Sequence, residues 1–134
     1  MNTTRTRRLG STALAVLMLG SLTATAPASA KDGDGRVIVR GDCSARTDWK
    51  LKAKPDDGRM EVEFEVDSNR NGQVWTWTLR SNGSVFASGK RTTQAPSGSF
   101  SVERRTADSG GTQRISATAR NTRTGETCRA SLTI

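Results

Sequence analysis

The chain has 134 residues, room for one average soluble domain and an appendage. It carries 21 Lys+Arg against 13 Asp+Glu, with two Cys, three Trp, no His and no Tyr. Without histidine it cannot by itself assemble a serine–histidine or cysteine–histidine catalytic site, or a histidine zinc centre.

The first thirty residues read as an address. Arg5, Arg7 and Arg8 precede a short apolar stretch from Ala13 to Leu22, and Ala28-Ser29-Ala30 fits the A-x-A cleavage pattern. A bacterial Sec-type signal peptide over 1–30 is expected, cut after Ala30, with the mature protein secreted. Arg7-Arg8 lack the sustained apolar continuation of a twin-arginine signal. The apolar run is too short to span a bilayer and no second run follows, so no transmembrane segment is expected. Residues 31–134 then carry 18 cations and 13 acids, a net charge of +5. Only 16 of these 104 residues are Val, Ile, Leu or Phe, a composition that by itself permits disorder. The order of the residues argues for a fold.

Residues 31–35 are polar and glycine-rich and are expected to form a flexible lead into a domain over 36–134. A first strand runs from Val37 to Arg40. Arg40-Gly41-Asp42 matches a cell-adhesion tripeptide, but it sits at a strand end beside Cys43 and reads as structural. In an exported chain Cys43 and Cys128 are expected to form one disulfide closing 85 residues.

Trp49, Leu51 and Ala53 alternate with lysines, and Met60, Val62, Phe64 and Val66 alternate with acids. The turn Pro55-Asp56-Asp57-Gly58 lies between them. Closing the hairpin there places Lys54 opposite Arg59, Trp49 opposite Phe64, Lys52 opposite Glu61 and Lys50 opposite Glu63. Glu61, Glu63 and Glu65 are therefore read as ion-paired with lysines, not as acid–base catalysts. Asp67, Asn69 and Asn71 are candidate calcium ligands, since Asp67 to Gly72 has the opening D-x-N-x-N-G of a calcium loop. Thr78 at the twelfth position, Arg70 inside the loop and the lack of flanking helices favour an Asx-rich hairpin loop, so no metal or other cofactor is expected.

Trp75, Trp77 and Leu79 share a face, and with Trp49 they are read as core rather than as a stacking platform. Asn82-Gly83 marks a two-residue hairpin that pairs Ser81 with Ser84 and Leu79 with Phe86. The stretch from Thr92 to Ser99 has no alternation and reads as a crossover between sheets. Beyond it, Val102 is expected to face Ile115 and Phe100 to face Ala117, with Glu103 beside Arg114. Ile115, Ala117 and Ala119 are expected to face Leu132, Ala130 and Cys128. Arg105, Arg114, Arg120 and Arg129 then fall on one outer face among serines and threonines, a candidate surface for a polyanion.

The fold expected is all-β: a single two-sheet sandwich of immunoglobulin-like type with about eight short strands, a small barrel being the second choice. The function expected is that of a secreted, non-enzymatic binding module. Its partner would be an acidic cell-surface polymer or an extracellular protein, not nucleic acid. The alternative is a small secreted protease inhibitor presenting loop 92–99 or loop 107–111.

Overall fold

A computed structural model of the protein describes residues 29–31 and 33–134. The expected signal peptide lies outside the described residues except at Ser29 and Ala30. Two antiparallel sheets form a β-sandwich, with no closed barrel and no helix among the described residues. No helix there is long and apolar enough to cross a membrane.

The strands are β1 (Ser29–Lys31), β2 (Val37–Asp42), β3 (Asp48–Asp56), β4 (Arg59–Asp67), β5 (Val74–Ser81), β6 (Ser84–Thr92), β7 (Ser99–Ala107), β8 (Arg114–Asn121) and β9 (Thr127–Thr133). One sheet has the order β1-β2-β3-β4-β7 and the other β6-β5-β8-β9. The short β1 pairs Ser29 with Val39 and Lys31 with Val37, so the cleavage site expected after Ala30 falls within it. Asp34, in the expected lead, accepts a hydrogen bond from the Arg36 N–H at 3.1 Å.

Period-two alternation builds the core directly. Leu51, Val62, Phe64 and Val66 from one sheet meet Trp75, Leu79 and Ile115 from the other, all fully buried. Only one face of each strand needs to be apolar, so eleven buried Val, Ile, Leu and Phe side chains suffice together with the tryptophans, Met60 and small residues. All three tryptophans are buried.

The first hairpin closes two residues later than its alternation suggested. Asp56 pairs with Arg59, Leu51 with Phe64, Lys52 with Glu63 and Lys50 with Glu65. Asp57 (φ 48°) and Gly58 (φ 71°) alone form the turn. Two consecutive positive-φ residues make the turn whose twist matches the flanking strands, and Asp-Gly suits it. Pro55 moves into β3, beyond Ala53, where pairing with β2 has ended, so its missing N–H deprives no neighbour.

Three further expectations change. Leu79 pairs with Ala87, not Phe86, because a β-bulge between Leu79 and Arg80 adds one residue to β6. The Asp67–Gly72 segment is not a hairpin loop, since β4 and β5 lie in different sheets. And β7 does not pair with β8: Val102 lies opposite Phe64, Phe100 opposite Val66, and Glu103 opposite Glu63, far in register from Arg114. The connection from β7 to β8 crosses between sheets, pinned by buried Gln113. Its Nε2 donates to Ser81 Oγ at 2.8 Å and to the Ala107 carbonyl at 2.9 Å, and its Oε1 accepts from the Ser109 N–H at 3.1 Å. Residues 92–99 cross between sheets as expected, and β8 and β9 pair in the expected register.

Cys43, just beyond β2, is bonded to Cys128 in β9, so the disulfide joins the two sheets. Closing 85 residues is worth about 4.5 kcal/mol in the chain-entropy picture, a large share for a domain of this size. We expect no titratable thiol in the denatured, unreduced protein, and a fall in melting midpoint of more than about 10 °C on reduction. Two thiols in the unreduced protein, or an unmoved midpoint, would contradict this.

Candidate functional site

The two outer faces differ in how their charges are used. Strands β2, β3, β4 and β7 carry seven cations and eight acids. Lys50 Nζ lies 2.9 Å from Glu65 and 3.4 Å from Glu63, and Lys52 is hydrogen-bonded to Glu63. Burial pulls the Glu63 carboxyl upward, but Lys52 and Lys50 outweigh it and hold it below its ordinary value. The hydrogen bond to Glu65, reinforced by Glu63, holds the Lys50 ammonium above its own. Glu63 and Glu65 thus form a ladder of ion pairs with Lys50 and Lys52, as expected for this face, whereas Glu61 meets Arg105 and not a lysine. The lysine pairings are shifted by two residues.

Arg105 belongs to this face and not to the arginine surface expected from the sequence. Its Nη2 lies 2.8 Å from Asp56 and 3.6 Å from Glu61, because β7 pairs with β4.

The opposite face is unbalanced. Strands β5, β6, β8 and β9 carry six cations and no acid. None of the six forms an ion pair among the described residues. The register sets five of them on the outer face, while Arg91, opposite Trp75, has the parity of the core side. Lys90, Thr76, Arg120 and Thr127 form one row across the four strands, and Ser88, Thr78, Thr118 and Arg129 form the next. Arg80, Ser116 and Ser131 follow, then Arg114 opposite Thr133. Neighbouring strands stand about 4.8 Å apart and same-face rows about 7 Å apart, so Arg120 and Arg129, and Arg80 and Arg114, are diagonal neighbours, with hydroxyl positions filling the rest of the grid. A shallow depression of about 460 Å³ runs along Thr76, Thr78, Arg80, Thr118, Arg120 and Arg129. Arg114 Nε donates to Ser131 Oγ at 3.1 Å. Such a surface offers hydrogen-bond donors and positive charge to an anion.

Arg114, Arg120 and Arg129 thus share a face as expected, while Arg80 and Lys90 join them and Arg105 does not. Arg80 was legible through its parity with Thr76 and Thr78. Its adjacency to β8 was not, because β5 and β8 are far apart in sequence.

The other motifs have structural roles. Gly41 lies against Trp49, where an added Cβ would come within 2.6 Å of the indole, and Trp49 Nε1 donates to the Asp42 carbonyl at 3.1 Å. The Arg-Gly-Asp tripeptide is therefore strand backbone packed on an indole. Asp67 Oδ1 accepts from the Asn69 N–H at 3.1 Å, an Asx turn, and Asn69 sits at φ 56°. No group of three or more Asp, Glu, Cys or His side chains disposed to hold a metal occurs among the described residues. No family model, curated protein or solved structure matches the chain.

At one end of the ion-pair ladder Asp42 and Asp67 flank Asp48 in register. Slight desolvation at this exposed position and the Asp42 carboxylate, with Asp67, raise the Asp48 carboxyl above its ordinary 3.8. A raised acid weakens the fold once ionised. We expect Asp48→Asn to raise the melting midpoint at pH 7 by about 1–4 °C. The gain should vanish as the pH falls below the ordinary aspartate value. Thermal melts of both proteins across that range check it, and an unchanged or lower midpoint for the variant at pH 7 would refute the repulsion.

Proposed function

We propose that the protein is an exported, non-enzymatic module that attaches to a linear polyanion through the outer face of β6-β5-β8-β9. The observation that carries this reading is the charge asymmetry. Five cations share the outer face of four strands with no acid, while the other sheet neutralises itself. A flat grid of arginine and threonine donors suits sulfate, phosphate or carboxylate groups repeated along a chain, such as an acidic cell-surface polymer. Charge without a deep pocket gives affinity for a class of polymer more than for one sequence of units. Export supports the reading through the leader-like N-terminus and through the disulfide, which suits an oxidising compartment.

Less supports the protease-inhibitor alternative. Residues 94–99 close on themselves, with the Gly98 N–H donating to the Gln94 carbonyl and the Gln94 N–H to the Ser99 carbonyl. A turn so tight offers no extended segment for an enzyme cleft.

Heparin, a dense linear polyanion, is a suitable probe. The wild type should be retained at low salt and released steeply as salt rises. Arg120→Ser with Arg129→Ser should reduce the log–log salt slope by about 2, one per cation lost. Arg105→Ser, on the other sheet, should leave it unchanged, and all melting midpoints should stay within about 2 °C. A wild type that passes through at low salt, or a double variant that elutes with it, overturns the proposal.

A further inference from the structure

The disulfide end of the sandwich holds a cleft of about 750 Å³ between three connections: β2–β3, β4–β5 and β8–β9. It lies off the sheet face and does not depend on the polyanion reading. A second depression of about 540 Å³ adjoins it, sharing Arg70, Gln73 and Thr124. Arg46 stands in the first lobe, Arg123 in the second, and Arg70 between them. None of the three forms an ion pair among the described residues.

The polar groups of the cleft are sorted by what already engages them. Glu126 is the only acid lining either lobe. Its carboxylate accepts from the Ala45 N–H at 3.2 Å, the Thr47 N–H at 3.0 Å and Thr47 Oγ1 at 2.9 Å. Those oxygens are committed to holding the β2–β3 connection. Gln73 Oε1 accepts from Trp75 Nε1 at 3.3 Å. Because an indole N–H can only donate, this bond orients the carboxamide and leaves its NH2 group free to donate. What the cleft offers a ligand is therefore three guanidinium groups and the Gln73 NH2 as donors, with the Asn69 and Asn71 carboxamides beside them able to donate or accept.

The walls are already braced. The Ser44 N–H donates to the Thr127 carbonyl and the Thr127 N–H to Ser44 Oγ, both at 2.9 Å, next to the disulfide. On the other side Ser68 Oγ donates to the Gly98 carbonyl at 3.0 Å, and the Gly72 N–H to the Thr93 carbonyl at 2.8 Å. A Cβ on Gly98 would come within 2.2 Å of the Arg70 backbone, so the two connections touch. Little backbone ordering remains to be done on binding.

Apart from Ala45, Val74 and glycines, every lining residue is polar or charged. An apolar side chain would gain nothing here, whereas a ligand polar over its whole surface would. We propose that this two-lobed cleft is a binding site for a carboxylated saccharide of one or two units, its carboxylate held by Arg70 and Gln73 with Arg46 or Arg123. The volume falls within the range of small-molecule sites.

The test is an NMR titration of the ¹⁵N-labelled protein with D-glucuronate and with a uronic-acid disaccharide. D-Glucose, sodium acetate and N-acetyl-dialanine are the comparison ligands. The Gln73 side-chain amide and the 44–47 and 69–73 backbone amides should shift saturably with both uronates, the disaccharide binding more tightly. The three comparison ligands should bind at least about tenfold more weakly. Arg70→Gln, and one of Arg46→Gln and Arg123→Gln, all at exposed positions, should weaken uronate binding by about tenfold while amides remote from the cleft stay in place. Arg80→Ser with Arg129→Ser, which weakens the sheet face, should leave the titration unchanged, so the two readings fail separately. No saturable shift up to roughly 50 mM glucuronate would overturn the site. Equal response to glucose or acetate would do the same. Equal or tighter binding of N-acetyl-dialanine would overturn the saccharide assignment.

Discussion

The covalent link between Cys43 and Cys128 joins the two sheets at one end, and the polar architecture of that end is organised around it. The core is made from few large side chains, so the sheets need a constraint that does not depend on buried area alone. Around the disulfide, Ser44 and Thr127 exchange hydrogen bonds and Glu126 holds the neighbouring connection by three more. Backbone groups that would otherwise point into solvent are thereby given fixed partners. The same bracing leaves a cleft whose walls do not need a ligand to stand.

Charge is distributed between the sheets according to topology. Consecutive strands β3 and β4 bring a lysine face against a glutamate face, and the ladder between them reinforces their register. Exposed or half-exposed pairs of this kind add little stability each, about 0.2–1 kcal/mol. Their larger effect is electrostatic: they cancel the field on that side of the molecule. Glu103 and Glu63 face each other across β4 and β7, but Lys52 engages Glu63 from the other flank. The β6-β5-β8-β9 sheet has no such cancellation, and its positive field faces solvent.

Two tryptophans show how the backbone adapts to the core. Trp49 and Trp77 each lie under a strand glycine, Gly41 and Gly89, where an added Cβ would crowd the indole. The Arg104 guanidinium stands 5.3 Å from the Trp77 ring centroid, joining β7 to β5 across the sheets. The two indoles are thus covered by strand backbone, and Trp77 also by an arginine over its ring, rather than stacked in solvent. The tryptophans therefore hold the sandwich and leave recognition to the polar surfaces.

Alternation of side chains determined, from the sequence alone, that the chain is all-β, which residues form its core, that the tryptophans are buried and how β8 meets β9, while the choice of sandwich over barrel came from the sheet topology. Two cysteines in a chain with an export-like leader also sufficed to expect the bond that forms. Alternation fixed register only modulo two, and it could not determine which even shift holds or which strand is the partner. A shift of two residues keeps every side chain on its own face, so pairing Lys52 with Glu61 or with Glu63 satisfies the same pattern. Only the positive-φ turn at Asp57-Gly58 separates them. Likewise Phe100 and Val102 fit the core beside Ile115 or beside Phe64, and the choice depends on where the buried Gln113 lets the chain cross. That crossing sends Arg105 to the neutralised face and leaves Arg114, Arg120 and Arg129 with Arg80 and Lys90. The cleft belongs to the same class of fact: residues 44–47, 68–73 and 124–126 are distant in sequence, and only sheet packing brings them together.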